Sequence, residues 1–479
     1  MNDIEPASIT TTMICRPKEI TIPEQDPFLN CKLNRREHAS TLTKVVGQLN
    51  GGGVLSICGD WGTGKTTFVK MWEQQLKNEG FHTLYFNVWE HDFISDPLVG
   101  IITQFKNNIP SEKAKDKFKE CSQYCLSILT GIIPKMAKAA AKHYFGEEGA
   151  EIVEAGVKKA SESFDDILDH FEEQSRSIIE FRRCLGGYVH EIGSDKPIVF
   201  IVDELDRCNP HFAVKTLERI KHLFNLPGIL FVLSIDKNQL CNSIRGYFGS
   251  EQFNAEEYLQ RFVDFEYQLP QPSIKEYCEY LWGEYDFDQF TEYEKGRREF
   301  ARESFLRMSD ILFSNIGTNL RDIAKQLAHV RVVIQSFKQN ELLPPGSVLL
   351  LEYLRHKHSN VYKKIQLREY TIAKFVERLE ECLPHNALSN TNDSYYDSRD
   401  FVNEIAKLVC CYAQDPERCK KPQLLTEGES PKLTFKCNLI NEGMLLESIK
   451  FHVYNDYRKI GNIRYLIDHI ELLKDFSVN

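Results

Sequence analysis

The chain has 479 residues, 42% of them hydrophobic, and its 69 acidic against 59 basic side chains leave a formal charge of -10. That is material for a buried core and more than one domain, and it excludes a global pull toward nucleic acid or anionic lipid, so any such contact must be a local patch. Fourteen cysteines without a CxxC pair, and a start with no charged segment joined to an apolar run and cleavage site, lead us to expect a globular, cytoplasmic protein with reduced thiols.

In chain order, residues 1–45 read as an N-terminal segment leading into a nucleotide-binding core. Five β-rich runs lie between helical stretches: Gly53–Cys58, Thr83–Trp89, Ile198–Val202, Ile229–Ile235 and Phe262–Leu269. The expected fold is α/β, with a parallel sheet flanked by helices. Ile198–Val202 and Ile229–Ile235 are nearly unbroken apolar β-formers, as central strands covered on both faces should be. Residues 46–105 and 187–270 would form the two parts of the core.

Directly after the first run, Gly59-Asp60-Trp61-Gly62-Thr63-Gly64-Lys65-Thr66 matches G-x-x-x-x-G-K-[ST], and the helical run from Thr67 follows it. A triphosphate concentrates negative charge. It therefore needs inward-turned backbone N–H groups, a helix N-terminus and a cation that reaches its terminal phosphates. Gly59, Gly62 and Gly64 permit that backbone path, Lys65 supplies the cation for the β- and γ-phosphates, and the Thr66 hydroxyl is the expected Mg2+ ligand. Thr67 reads as a supporting or capping hydroxyl. Trp61 reads as a packing residue.

Residues 106–186 are rich in Lys, Ala, Glu and Ile without a strand signal and read as a helical insertion. Its run Cys125–Ile133 is far shorter than the about 20 residues that span a bilayer. From Pro134 a basic amphipathic helix is expected, with Lys135, Lys138 and Lys142 on one face; we read it as a solvated stripe, with membrane-surface contact through residues 125–145 as the alternative.

The strand Ile198–Val202 ends in Asp203-Glu204. Asp203 would hold Mg2+ through water, and Glu204 would orient and polarise the attacking water. Arg207 reads as an ion-pair partner of Asp206 or Asp203, or as an arginine reaching a nucleotide across an interface. Ser234 and Asp236, at the end of the next strand, are candidate γ-phosphate sensors. No Asn-Lys-x-Asp segment follows a strand, so adenine is expected rather than guanine.

Residues 271–345 read as a helical lid and 346–479 as a mostly helical C-terminal region, with a polar loop at Leu388–Arg399 and a strand at Lys432–Leu439. His356 and His358 form an isolated HxH without a third ligand, and the basic segments Arg355–His358 and Arg418–Lys421 read as solvated surface.

The ordered blocks of residues 30–340 resemble the KAP family of P-loop ATPases. They are Leu33-Asn34-Arg35-Arg36-Glu37, Gly59–Thr67, Phe86-Asn87-Val88-Trp89-Glu90, Glu180-Phe181-Arg182, Asp203-Glu204-Leu205-Asp206-Arg207-Cys208, Pro227-Gly228, Ile235-Asp236-Lys237, Tyr258-Leu259-Gln260-Arg261-Phe262, Leu269-Pro270 and Leu320-Arg321-Asp322-Ile323. The family pattern usually has two aspartates where this chain has Asp203-Glu204, and its members often carry transmembrane helices in the insertion. The resemblance implies a five-stranded sheet of order 5-1-4-3-2, binding and hydrolysis of Mg-ATP, Arg321 as a sensor reporting the γ-phosphate to the lid, and Arg261 as an interface arginine. It implies a conformational or assembly switch acting on a partner protein or a homo-oligomer through the lid and C-terminal region, with anti-phage defence among the roles. The alternatives are a nucleotide-gated scaffold of slow turnover and a nucleic-acid-stimulated ATPase.

Overall fold

The computed structural model describes residues 20–132, 164–192, 195–271, 273–288, 298–314, 319–337, 345–384, 395–414, 423–428, 430–454 and 462–476. Two compact units divide the chain, Ile20–Gln271 and the stretch from residue 272 onward.

The first unit is built on five parallel strands: β1 (Gly53–Cys58), β2 (Thr83–Asn87), β3 (Ile198–Asp203), β4 (Ile229–Ile235) and β5 (Phe265–Gln268). Their order, β2-β3-β4-β1-β5, is the expected 5-1-4-3-2 read from the other edge. Two strands are shorter than their apolar runs. β2 stops at Asn87 because Val88 turns helical, opening a short 3-10 turn at Trp89–His91, and β5 begins only at Phe265.

Every residue of β1, β3 and β4 is buried, so alternate side chains feed two cores. Val54, Cys58, Phe200, Val202, Phe231 and Leu233 face one; Leu55, Ile57, Val199, Ile201, Leu230 and Val232 face the other. The second face is covered by α1 (Arg36–Val46) and α2 (Lys65–Asn78), through Leu42, Val46, Phe68, Val69 and Trp72. The first is covered by α3 (Pro97–Asn107), α4 (Glu112–Ile132), α5 (Phe164–Ile192), α6 (Pro210–Arg219), α7 (Lys237–Phe248) and α8 (Ala255–Gln260). Phe105 of α3 stacks on Phe224 with ring centroids 6.0 Å apart, and Phe200 on Phe231 at 5.0 Å. Each such burial contributes about 1.5–3 kcal/mol.

The insertion is helical where it is described, and its helices belong to this core. Phe118, Cys121, Cys125, Ile128 and Leu129 of α4 meet Phe181, Cys184, Leu185 and Tyr188 of α5 in the sheet's own apolar cluster. In the run Cys125–Ile133, the side chains of Cys125, Leu126, Ile128 and Leu129 are buried against protein, and α5 continues through residue 186 to Ile192. The basic helix expected at Lys135, Lys138 and Lys142 lies outside the described residues. Among the described residues no helix is long and apolar enough to cross a membrane.

The second unit is helical, from Ile274–Glu284 to Ile463–Phe476. The strand expected at Lys432–Leu439 does not form; only an isolated antiparallel bridge joins Leu425 to Leu433. The N–H groups of Asn438, Leu439 and Ile440 are instead held by the buried Glu380 carboxylate, at 2.8–3.0 Å, which leaves them none to give a strand partner. Of the expected loop Leu388–Arg399, the part from Tyr395 is already helix, and residues 385–394 lie outside the described residues.

Candidate functional site

Three residues stand abreast where the central strands end. Asn87 of β2 pairs with Asp203 of β3, and Asp203 with Ser234 of β4. Asp203 and Ser234 follow the alternation of Ile201 and Val232, which turns both toward the face that α2 covers.

The loop Gly59–Gly64 leaves β1 on the neighbouring strand and enters α2. Gly62 at φ 81° and Gly64 at φ 84° occupy the left-handed region that a side chain would strain. The nearby helices α3, α6, α7 and α8 are capped by Asp96, Asn209, Asp236 and Asn254. By contrast, the first N–H groups of α2 receive no side-chain cap. Such an end carries unsatisfied donors and about half a positive charge.

Lys65 folds back over the loop, donating Nζ to the carbonyls of Gly59 at 2.6 Å and Asp60 at 3.0 Å. Burial pulls its pKa down, and Asp206, Asp236 and Asp203 act against that pull. Thr66 and Thr67 lie half-buried in the first turn. Thr63 is buried, its hydroxyl donating to the Asp60 carbonyl at 2.8 Å, while the Asp60 side chain is exposed and accepts from Gln271.

Trp61, expected to be a packing residue, is 42% exposed. Its N–H donates to Asp236 Oδ2 at 3.0 Å and its indole Nε1 donates to Asp206 Oδ2. Both oxygens of Asp236 are thereby engaged, since Oδ1 accepts the Gln239 N–H at 3.2 Å as the cap of α7. The Ser234 hydroxyl, fully buried, has no hydrogen-bond partner among the described residues. Burial raises the Asp206 carboxyl, with the Trp61 bond and Lys65 working in the opposite direction.

Beyond β3 the chain turns sharply, and Glu204 adopts φ 63°, a left-handed conformation costing a non-glycine residue about 1–3 kcal/mol. Asp203 Oδ1 accepts the Glu204 N–H at 3.0 Å and its Oδ2 accepts the Tyr85 hydroxyl at 2.9 Å. The Glu204 carboxylate is held from two sides, by Arg207 Nη1 at 2.5 Å and by Asn87 Nδ2 at 3.2 Å. Arg207 therefore pairs with Glu204, where Asp206 or Asp203 was expected, and its guanidinium lies 5.4 Å from the Trp89 ring centroid. Burial raises the Glu204 carboxyl above the ordinary range; Arg207 lowers it, and Asp203 pushes it further up.

Arg261 is exposed at the end of α8. Arg321 belongs to the second unit, exposed on the first turn of the helix Leu320–Gln335. His356 lies in the last turn of the helix Pro345–Lys357 and His358 follows that helix; among the described residues no group of three or more His, Cys, Asp or Glu is placed to hold a metal ion. Asn87, Tyr85 and Arg35 are the contacts that the motif reading missed. Asn87 and Arg35 do stand in the ordered blocks, but as members of a pattern without a role.

Comparison with known proteins gives three findings. The family described as the KAP family P-loop domain matches residues 35–337. The phage T7 exclusion protein of Escherichia coli (strain K12) is 20% identical over 246 residues, 47% of this chain, and the chain spans only 31% of that protein's length. The ORC2 protein of Aeropyrum pernix, solved in ADPNP-ADP complexes, aligns over 92% of this chain and 96% of its own at 13% identity and a TM-score of 0.32.

Proposed function

The chain belongs to the KAP family of P-loop domains, and from that membership we propose that it binds Mg-ATP and hydrolyses it to drive a conformational or assembly switch. The observation that carries this reading is the meeting, at one end of the sheet, of the uncapped α2 N-terminus and Lys65 with the in-register row Asn87, Asp203 and Ser234 and the adjoining Glu204. The residues fit the ligands. Left-handed glycines open the loop, Lys65 has carbonyl partners that a phosphate can replace, and the orphaned Ser234 hydroxyl has a donor to give.

In this account the loop Gly59–Thr67 would cradle the phosphates, Lys65 would balance their charge, and Thr66 directly and Asp203 through water would hold Mg2+. The metal, when bound, neutralises charge on the phosphates. Glu204 accepts a proton from the attacking water once Arg207 releases it. Ser234 senses the γ-phosphate. Asp236 contributes by holding Trp61 and thus the loop tip. Arg321 and Arg261 are assigned to γ-phosphate sensing by the lid and to a subunit interface.

A second reading, a gated scaffold of slow turnover, is favoured by one observation: the Glu204 carboxylate is already neutralised by Arg207 and fixed by Asn87. A role in anti-phage defence is motivated by the similarity to the phage T7 exclusion protein. It requires that cells expressing the wild type restrict phage plaques while cells expressing Lys65→Ala do not. For the nucleotide reading, the test is equilibrium binding of Mg-ATP in competition with Mg-GTP. Wild type and Glu204→Gln should bind ATP alike and Lys65→Ala should not; equal loss in both variants would contradict the roles assigned.

A further inference from the structure

Arg35 is 3% exposed, yet among the described residues it has no carboxylate partner. The groups that act on its charge are Cys31 and Tyr267, and burial lowers its pKa. A buried, unpaired cation costs several kcal/mol as a rule, so its placement calls for a reason.

The local sequence explains how it gets there. Asn34, at φ 49°, turns the chain just before α1, directing residue 35 inward. The guanidinium then meets two carbonyls that are far apart in sequence. Nη2 donates to Thr63 O at 3.0 Å and to Pro270 O at 3.2 Å, while Nη1 has no partner among the described residues.

The Thr63 carbonyl shares a peptide plane with the N–H of Gly64. In a trans peptide the two point in opposite directions. Fixing this carbonyl toward Arg35 therefore aims the Gly64 N–H away from Arg35, at the junction of the loop with the uncapped end of α2. Gly64 is a left-handed glycine, the residue type whose peptide plane turns most freely, so an outside brace has something to restrain. The bracing charge is also uncancelled, and in a low-dielectric setting it adds to the potential felt by an anion on the loop.

We infer that Arg35 is a positioning residue for phosphate binding: it braces the phosphate loop from its outer side, orients the Gly64 N–H, and fastens the loop to Pro270 at the end of the sheet. This rests on the nucleotide-binding reading, and it is directed at the phosphates, without regard to the base.

The test compares wild type, Arg35→Lys, Arg35→Met and Lys65→Ala for binding of Mg-ATP, Mg-GTP and magnesium tripolyphosphate, with the thermal midpoint of each ligand-free protein alongside. Arg35→Lys, which keeps the charge and a single donor nitrogen, should weaken binding by less than tenfold. Arg35→Met should weaken ATP and tripolyphosphate binding by the same factor, tenfold or more, and leave the ATP-to-GTP preference unchanged. Bound-state signals from a Gly64 15N label should shift differently in Arg35→Met than in wild type, a change that a general loss of stability does not produce. Wild-type affinity in Arg35→Met, or a loss for ATP without one for tripolyphosphate, overturns the inference while leaving the nucleotide reading intact. Failure of the wild type to bind any of the three ligands would overturn the nucleotide reading itself, and this inference with it.

Discussion

Asp96 offers the sharpest energetic test of how the helices beside the site are held. Its side chain is 1% exposed, caps α3 through the Leu98 N–H at 2.9 Å, accepts from Arg219 Nε at 3.1 Å and Nη2 at 2.6 Å, and lies 3.1 Å from Lys215 Nζ. Burial alone would raise the carboxyl. The bonds from Arg219, the cap and Lys215 outweigh it, holding the carboxyl below the ordinary range. Removing one partner of a buried pair costs about 3–5 kcal/mol because the remaining charge is stranded, and loss of a cap costs about 1. We expect Asp96→Ala to destabilise the first unit by about 5 kcal/mol, the midpoint of the pair range plus the cap, and Asp96→Asn, which keeps a capping oxygen, by about 4 kcal/mol.

The assay is equilibrium urea unfolding followed by fluorescence of the buried Trp72 in the same unit. The depressed pKa fixes the sign of the pH dependence. The stabilisation is fully present above the carboxyl's unfolded value and is lost as pH falls through the lower folded value, so the gap between wild type and Asp96→Asn should close in acid. A loss below about 1 kcal/mol for Asp96→Ala, no more than a cap is worth, would refute the reasoning.

Three further expectations concern the site and its walls. Because burial raises the Glu204 carboxyl and the base must be ionised, steady-state turnover should fall with decreasing pH at a point above the ordinary carboxylate range; an acid limb within that range would count against Glu204 as the base. Asp206→Asn keeps an oxygen for Trp61 Nε1 and removes a charge that burial disfavours. Since a raised folded pKa makes the carboxylate destabilising above that value, the variant's thermal midpoint should exceed the wild type's at neutral pH and converge with it in acid; a lower midpoint at neutral pH would contradict this. A Cβ on Gly100 would lie 2.4 Å from Phe86 Cζ in the core, so Gly100→Ala should cost about 1–3 kcal/mol by urea unfolding, and a neutral result would show that Phe86 can move aside.

What the sequence could reveal follows from how local each signal is. The β1 loop and α2 were legible because strand, motif and helix are contiguous, and β3 and β4 because burial on both faces leaves an unbroken apolar run. The end of β2 was not, since Val88 and Trp89 are good strand formers and only their backbone angles end the strand. Contacts between distant segments were hidden for a different reason. Nothing in Asn87 alone says that it lies beside Asp203 and reaches Glu204; that follows from strand register. Nor does the block Leu33–Glu37 show that Arg35 reaches carbonyls at Thr63 and Pro270. Ser234 and Asp236 both stand at the end of β4, and sequence does not separate them as sensors; the Asp236 oxygens accept from Trp61 and Gln239, whereas the Ser234 hydroxyl has no partner among the described residues. At Lys432–Leu439 the β-rich composition was real, and a buried glutamate from another helix took the N–H groups at the end of that stretch.

The measurement that bears most directly on the central claim is phosphate release from Mg-ATP by wild type and Glu204→Gln, across protein concentration, with size followed by light scattering. The account predicts wild-type turnover that the substitution abolishes while ATP binding persists. Turnover by Glu204→Gln equal to the wild type's, or tight ATP binding by the wild type with no phosphate released at any concentration, would contradict it; the second result would move the reading to the gated scaffold.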